Sequence, residues 1–307
     1  MIRLIFALII FSSCSNNIDK LEETKIMHNS SIRTFYTYEP LNLEKNMTLV
    51  VGLHGYTGNA NTFIRNGNAN FNKFLESRNF IGAYPEGKSF NEGSRFFSSW
   101  NDLAGSVGIG PKGDICDIDR DYYPYPPDCK NPHRCSWASC DDDLGFIEKV
   151  IDHHKGKYDI KKVIVIGMSN GGMLAQSIGC NLGDKVDGII NISGMQALGM
   201  SCVPKKPVSM VIYGALNDFT VPPIDIVASD GYFYEPMKNT VLAWKETLNC
   251  KKSSFVEKET PTKISIEKFT DCENNKTITS ILDHKNNHDW PKPYKWGIEL
   301  LFEPLIN

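Results

Sequence analysis

Gly167-Met168-Ser169-Asn170-Gly171 follows directly on Val163-Ile164-Val165-Ile166, four β-branched residues in a row. A serine with glycine two places away on each side, between a strand-like run and a helical pattern, has the form of a nucleophile elbow. The glycines have a steric reason. Such a turn brings strand and helix so close that flanking Cβ atoms have no room, and the serine takes a strained backbone. The bland reading is an ordinary glycine–serine turn. The apolar strand before it, and Met173, Leu174 and Ile178 at helical spacing after it, favour the elbow.

A serine hydroxyl is a poor nucleophile without a base, and the base needs a carboxylate to fix its tautomer. After an elbow the partners come in the order Ser, Asp, His. Asp218 stands in Gly214-Ala215-Leu216-Asn217-Asp218, just past the strand-like Pro207–Tyr213, with Asp225 and Asp230 as alternatives. His288, in the loop before Trp290-Pro291, is the expected base, whereas His284 still belongs to the end of a strand. The apolar run Met47–Leu53 leads into His54-Gly55-Tyr56-Thr57-Gly58. The backbone N–H groups of Tyr56 and Asn170 are therefore the expected oxyanion donors.

The other histidines have duller readings. His54 is expected to make structural hydrogen bonds. His153 and His154 fall at a helix C-terminus, where a cation suits the dipole. His28 lies in a polar tether and His133 in a cysteine-rich loop. Trp100, Trp137 and Trp290 are candidates to line a substrate cleft, with core packing as the alternative and Trp290 set apart by its place next to His288. This chemistry needs no cofactor. The acidic run Asp114–Asp121 lacks the glycine and terminal glutamate of a calcium loop and reads as a solvated loop without a metal, with calcium as the remote alternative.

The elements that must position these groups alternate. Strand-like runs at Ile32–Tyr38, Met47–Leu53, Phe80–Tyr84, Val163–Ile166, Val186–Ile192 and Val208–Tyr213 are mostly continuously apolar, as in a parallel sheet buried on both faces. A helix capped by Asp142 or Asp143 carries Phe146, Ile147, Val150 and Ile151 and ends near Lys155-Gly156. The reading is an α/β fold, a mostly parallel central sheet flanked by helices. Alternating residues between Thr260 and Asp283 add strands at the far edge. Residues 88–140, rich in Gly, Pro, Asp, Tyr and Cys, break the rhythm and read as an insertion packed over the sheet edge.

The 307 residues carry a formal net charge of −3, and no basic run marks a nucleic-acid surface. The N-terminus, MIRLIFALIIFSSC, has an apolar run too short to span a bilayer, with the shape of a signal peptide. Cys14 after small residues resembles a bacterial lipoprotein box, so residues 1–13 are expected to be removed and Cys14 acylated, anchoring the chain to a membrane. Plain secretion after cleavage near Ser13 is the alternative. Residues 14–30 read as the tether, and 31–307 as one catalytic domain. Export makes the other eight cysteines an expected disulfide set. Proximity suggests Cys180–Cys202, Cys250–Cys272 and two bridges among Cys116, Cys129, Cys135 and Cys140. A zinc site built from those last four is the minor reading, because their spacing lacks a Cys-x-x-Cys pair.

LHGYTGNA, the Tyr84-Pro85-Glu86-Gly87 corner, SSWN, CDDDLGFIEKVID, KVIVIGMSNGGMLA, YGALNDFTVP and HDWP occur in this order. Together, over roughly residues 32–300, they resemble the exported poly(3-hydroxybutyrate) depolymerase and feruloyl esterase group of α/β-hydrolases, the LpqC-like esterases. The resemblance implies an α/β-hydrolase fold, with Ser169 as nucleophile, Asp218 as acid and His288 as base. It also implies hydroxyalkanoate esters, or feruloyl or acetyl esters on polysaccharide, as substrates. Two departures stand out. Tyr213-Gly214 replaces the His-Gly common in that group, and the segment Cys116–Cys140 is longer than in its smallest members. A peptidase or other acyl hydrolase on the same fold, and a ligand-binding lipoprotein without catalysis, are the competing readings.

Overall fold

The computed structural model describes residues 20–65, 70–259 and 261–306. Among them the strands are β1 (Glu22–His28), β2 (Ser31–Tyr38), β3 (Met47–Leu53), β4 (Ile81–Pro85), β5 (Lys88–Glu92), β6 (Arg95–Ser99), β7 (Ile109–Gly110), β8 (Gly113–Asp114), β9 (Ile160–Met168), β10 (Gly188–Ile192), β11 (Ser209–Ala215), β12 (Lys252–Lys258), β13 (Ile264–Thr270) and β14 (Ile278–Asp283). The helices are α1 (Ala60–Ile64), α2 (Phe71–Arg78), α3 (Asp143–Lys157), α4 (Asn170–Asn181), α5 (Met237–Thr247) and α6 (Tyr294–Ile306).

Ten strands form one sheet in the order β1-β2-β4-β3-β9-β10-β11-β14-β13-β12. From β4 to β14 every neighbouring pair is parallel. An antiparallel hairpin closes each edge. The central strands read as unbroken apolar runs because both faces are covered. One face packs Val165 and Ile212 against Phe146, Ile178 and Trp244 of α3, α4 and α5. The other packs Ile164, Ile166 and Val211 against Phe63, Phe71 and Phe302 of α1, α2 and α6. Parallel strands share one carboxyl edge, so the loops after β3, β9, β11 and β14 emerge on the same side of the molecule.

The tether expected over 14–30 is corrected by the structure, because its second half is β1. This strand pairs with β2 from Glu22↔Thr37 to His28↔Ser31. Asn29 and Ser30 both have positive φ, 46° and 66°, the geometry of a two-residue hairpin turn. His28 is accordingly not in a tether: it is buried, with Nε2 2.9 Å from the Asp142 carbonyl. The expected signal peptide and Cys14 lie outside the described residues. No helix of the described residues is long and apolar enough to cross a membrane.

His154 also departs from expectation. It is buried, its Nδ1 lies 2.7 Å from the Val150 carbonyl and its Nε2 3.0 Å from Thr37 Oγ1. Burial lowers its pKa to about 4, so it is neutral, not a cation answering the helix dipole.

All eight cysteines outside the N-terminal segment are paired, as Cys116–Cys135, Cys129–Cys140, Cys180–Cys202 and Cys250–Cys272. The first two staple the insertion, which also holds the hairpins β5/β6 and β7/β8. Arg134 serves as its hub. The guanidinium donates to Asp114 at 2.6 Å and to the Cys116 carbonyl at 3.0 Å, so the first carboxylate of the acidic run is paired within the insertion. The insertion does not stop at the sheet edge. It is stitched to the loop after β11: Asp117 N–H donates to the Gly231 carbonyl and Asp121 N–H to the Asp230 carbonyl, both at 2.8 Å.

Candidate active site

Ser169 sits between β9 and α4 with φ 55° and ψ −124°, a conformation that costs an ordinary residue of order 1–3 kcal/mol. Surrounding contacts hold it there. Its N–H donates to the Ile192 carbonyl and its carbonyl accepts from Met173 N–H, at 2.8 and 2.9 Å. The crowding inferred for the glycines is severe. A Cβ at Gly167 would lie 2.0 Å from the Gly171 carbonyl oxygen, and one at Gly171 would lie 2.3 Å from the Leu53 carbonyl oxygen. Gly171→Ala would therefore wedge α4 away from the end of β3. The expected cost is about 1–3 kcal/mol in stability, checked by urea denaturation. Gly156→Ala, at an exposed α3 position with nothing within 4 Å, should instead stabilise by roughly 0.5–1 kcal/mol.

Asp218 follows β11 and is fully buried. Its Oδ1 accepts from the N–H groups of Thr220 and Val221 at 3.0 and 2.8 Å. Its Oδ2 lies 2.8 Å from His288 Nδ1. An ionised carboxylate can only accept, so Nδ1 carries the proton and Nε2 is left as the basic nitrogen. Asp225 is exposed, and Asp230 receives Tyr123 OH at 2.8 Å, so neither competes. His284 directly follows β14, with Nε2 2.7 Å from Ser265 Oγ, tied to the neighbouring strand. The structure thus brings Asp218 and His288 together. Among the described residues no hydrogen bond joins Ser169 Oγ to His288; such contacts are often long before substrate binds. All three residues follow parallel strands at the same sheet edge.

The turn after β3 lies against the serine: a Cβ built on Gly55 would be 3.4 Å from Ser169 Cβ. His54, just before it, is fully engaged. Its Nε2 accepts from Gly87 N–H at 3.0 Å, which leaves Nδ1–H to donate to the Gly55 carbonyl at 2.8 Å. Burial lowers its pKa to about 4, so the imidazole holds the turn as a neutral group. Tyr56 packs its ring edge-on to Trp137 and donates its hydroxyl to the Pro124 carbonyl at 3.1 Å, joining the turn to the insertion. Asn170, first residue of α4, has a backbone N–H with no acceptor inside the helix.

All three tryptophans named for a cleft, Trp100, Trp137 and Trp290, are buried. Trp100 is 0% exposed. Its indole N–H donates to the His54 carbonyl at 2.8 Å, and its backbone is clamped by the Asn170 side chain at 2.7 and 3.1 Å. It braces the turn after β3 against the elbow, and offers no face to a ligand. Trp290 is 3% exposed, with its ring against Phe63 and Phe71. Exposed apolar side chains on the loop after β11 are instead Phe219, next to Asp218 in the chain, and Ile224, Ile226 and Val227.

Sequence reasoning also missed the supports of the histidine loop. Buried Asp283 accepts from the N–H groups of Lys285 and Asn286 at 2.9 and 3.0 Å and from Tyr213 OH at 3.1 Å. Asn286 donates to Tyr213 OH and to the Trp290 carbonyl at 2.9 and 2.8 Å. Tyr213, a departure from the group's His-Gly, is thus the post on which the His288 loop is folded. The Asx pattern of Asp283 before Lys285-Asn286 was the available signal.

Strand order, the elbow after the middle strand and the acid and histidine loops at the same edge define the α/β-hydrolase fold. Solved structures agree. An acetyl xylan esterase from Aspergillus awamori superposes with a TM-score of 0.59 at 15% identity, covering 92% of this chain and 98% of that one. The esterase PE8 superposes at 0.51 and 14% identity, covering 88% and 97%. At such identities the likeness is one of fold. No protein-family model matches the chain, and no curated protein does.

Proposed function

We propose that the protein is a serine carboxylic-ester hydrolase using Ser169, His288 and Asp218. The observation that carries this reading is the 2.8 Å contact between His288 Nδ1 and buried Asp218, made at the sheet edge where Ser169 occupies a strained elbow. His288 Nε2 takes the Oγ proton as Ser169 attacks the ester carbonyl. The tetrahedral oxyanion is received by the N–H groups of Tyr56 and Asn170. The bond to the alcohol then breaks, and the imidazolium protonates the departing oxygen. Water, deprotonated by the same nitrogen, releases the acid from the acyl-serine. No cofactor enters these steps.

For the substrate, the motif resemblance points to hydroxyalkanoate esters or to feruloyl and acetyl esters on polysaccharide. The acetyl xylan esterase among the structural neighbours favours the polysaccharide esters. A hydrolysis panel of 4-nitrophenyl acetate and butyrate, methyl ferulate, 3-hydroxybutyrate oligomers, acetylated xylan and a chromogenic peptide tests the reading. Turnover of the peptide alone would replace esterase by peptidase, and turnover of none would leave a binding protein.

The reading includes export to an oxidising compartment, supported by the four disulfides, with Cys14 as a lipid anchor. Thiol titration of the denatured, unreduced protein should find none of the eight paired cysteines free. A palmitate analogue should label the wild type and not Cys14→Ser; equal labelling of both would leave plain secretion.

A further inference from the structure

A groove of about 860 Å³ lies against the β1/β2 hairpin, and none of Ser169, Asp218 or His288 lines it. Lys25 of β1 and its cross-strand partner Thr34 of β2 lie on its floor, with Tyr36 further along β2. Asn59 and Asn61 at the start of α1, together with Phe96, form its flank, and Glu86 closes the end next to β4. The opposite face of the hairpin, with Phe35 and Thr37, is buried on α3.

The groove adjoins the catalytic edge. Glu86 follows β4, and β4 is separated from β9 and its serine by β3 alone. At about 4.8 Å per strand, its near end lies roughly 10–15 Å across the sheet from the nucleophile. One turn bridges the two places. Gly55 faces Ser169 at one end of it, with room for no more than a Cβ between them, and Asn59 lines the groove at the other.

The lining selects the chemistry of an occupant. Its cations are already paired: Lys25 with Glu23 at 2.8 Å, Lys88 with Asp128 at 2.6 Å, and Arg33 with Asp143 at 2.6 Å. Such pairs leave little field to recruit an ion. Ile32 is 66% and Phe96 52% exposed, so the lining presents apolar side chains to solvent. Beside them stand the Asn59 and Asn61 amides and the Glu86 carboxyl, which already holds Ala60 N–H at 3.2 Å. Apolar faces alternating with amide and carboxyl groups suit a neutral molecule that is itself apolar on its ring faces and hydroxylated at its edges.

We propose that this groove is a second binding site for a neutral polysaccharide chain, holding sugar residues on one side of the turn while an ester on the same chain reaches Ser169 on the other. The proposal rests on the ester-hydrolase reading and adds a site that the catalytic residues do not contain. Binding is measured first, by calorimetry on Ser169→Ala with unesterified xylohexaose, cellohexaose and mannohexaose. At least one hexasaccharide should bind, and adding Phe96→Ala and Asn61→Ala, both at exposed positions, should weaken it roughly tenfold or more. On the wild-type background the same pair should lower kcat/KM on acetylated xylan by a similar factor through KM, with 4-nitrophenyl acetate turnover unchanged. No binding of any hexasaccharide, or equal loss on both esters, overturns the proposal. If the wild type fails on 4-nitrophenyl acetate the ester reading falls instead, and the calorimetry still decides the groove.

Discussion

Replacing Ser169 by alanine should lower ester hydrolysis by on the order of 10⁴-fold or more while leaving the fold intact. The substitution removes one hydroxyl, and the neighbours hold the elbow through the backbone of Ser169. The small remaining rate would come from the Tyr56 and Asn170 amides and from substrate positioning. Steady-state turnover of 4-nitrophenyl acetate, read beside the circular dichroism spectrum and melting temperature, checks both halves. Near wild-type turnover in folded Ser169→Ala protein would remove the elbow from the chemistry. Alanine at the strained φ of 55° pays the same backbone cost as serine, so a large fall in melting temperature is not expected.

The second large effect separates two histidines four residues apart. Asp218→Asn should cut turnover by about 10⁴-fold, because an amide facing His288 Nδ1 favours the tautomer whose Nε2 carries the proton and cannot accept another. His288→Ala should be comparably inactive. His284→Ala should retain turnover within a few-fold, losing one contact to Ser265 on the neighbouring strand. Inactive His284→Ala beside active His288→Ala would reverse the assignment of the base while leaving the reaction class standing. Packing around Asp218 should tolerate the amide, since Oδ1 can keep its two backbone donors.

Much of this arrangement is local and therefore legible in the chain itself. An elbow is one strand, one turn and one helix, and Gly167 is demanded by Gly171 four residues on, although Gly171 itself is demanded by Leu53 on a distant strand. Apolar runs buried on two faces, the Asp142 cap of α3 and the pairing of near-neighbour cysteines are short-range facts of the same kind. What the sequence could not decide depends on residues far apart in the chain. Trp100 reads as cleft or core until Asn170, 70 positions away, is seen to clamp its backbone. Tyr213 looks like a bare departure from a motif until Asp283 and Asn286 close around its hydroxyl. His28 reads as part of a tether because Glu22–His28 carries no apolar run that marks a strand. His154 continues the Phe146-Ile147-Val150-Ile151 stripe, yet it reads as a helix-end cation because its partner Thr37 lies 117 positions away on β2. Burial and hydrogen bonding are properties of the assembled sheet and its covering layers, and only that assembly determined which polar side chains brace the site and which face the substrate.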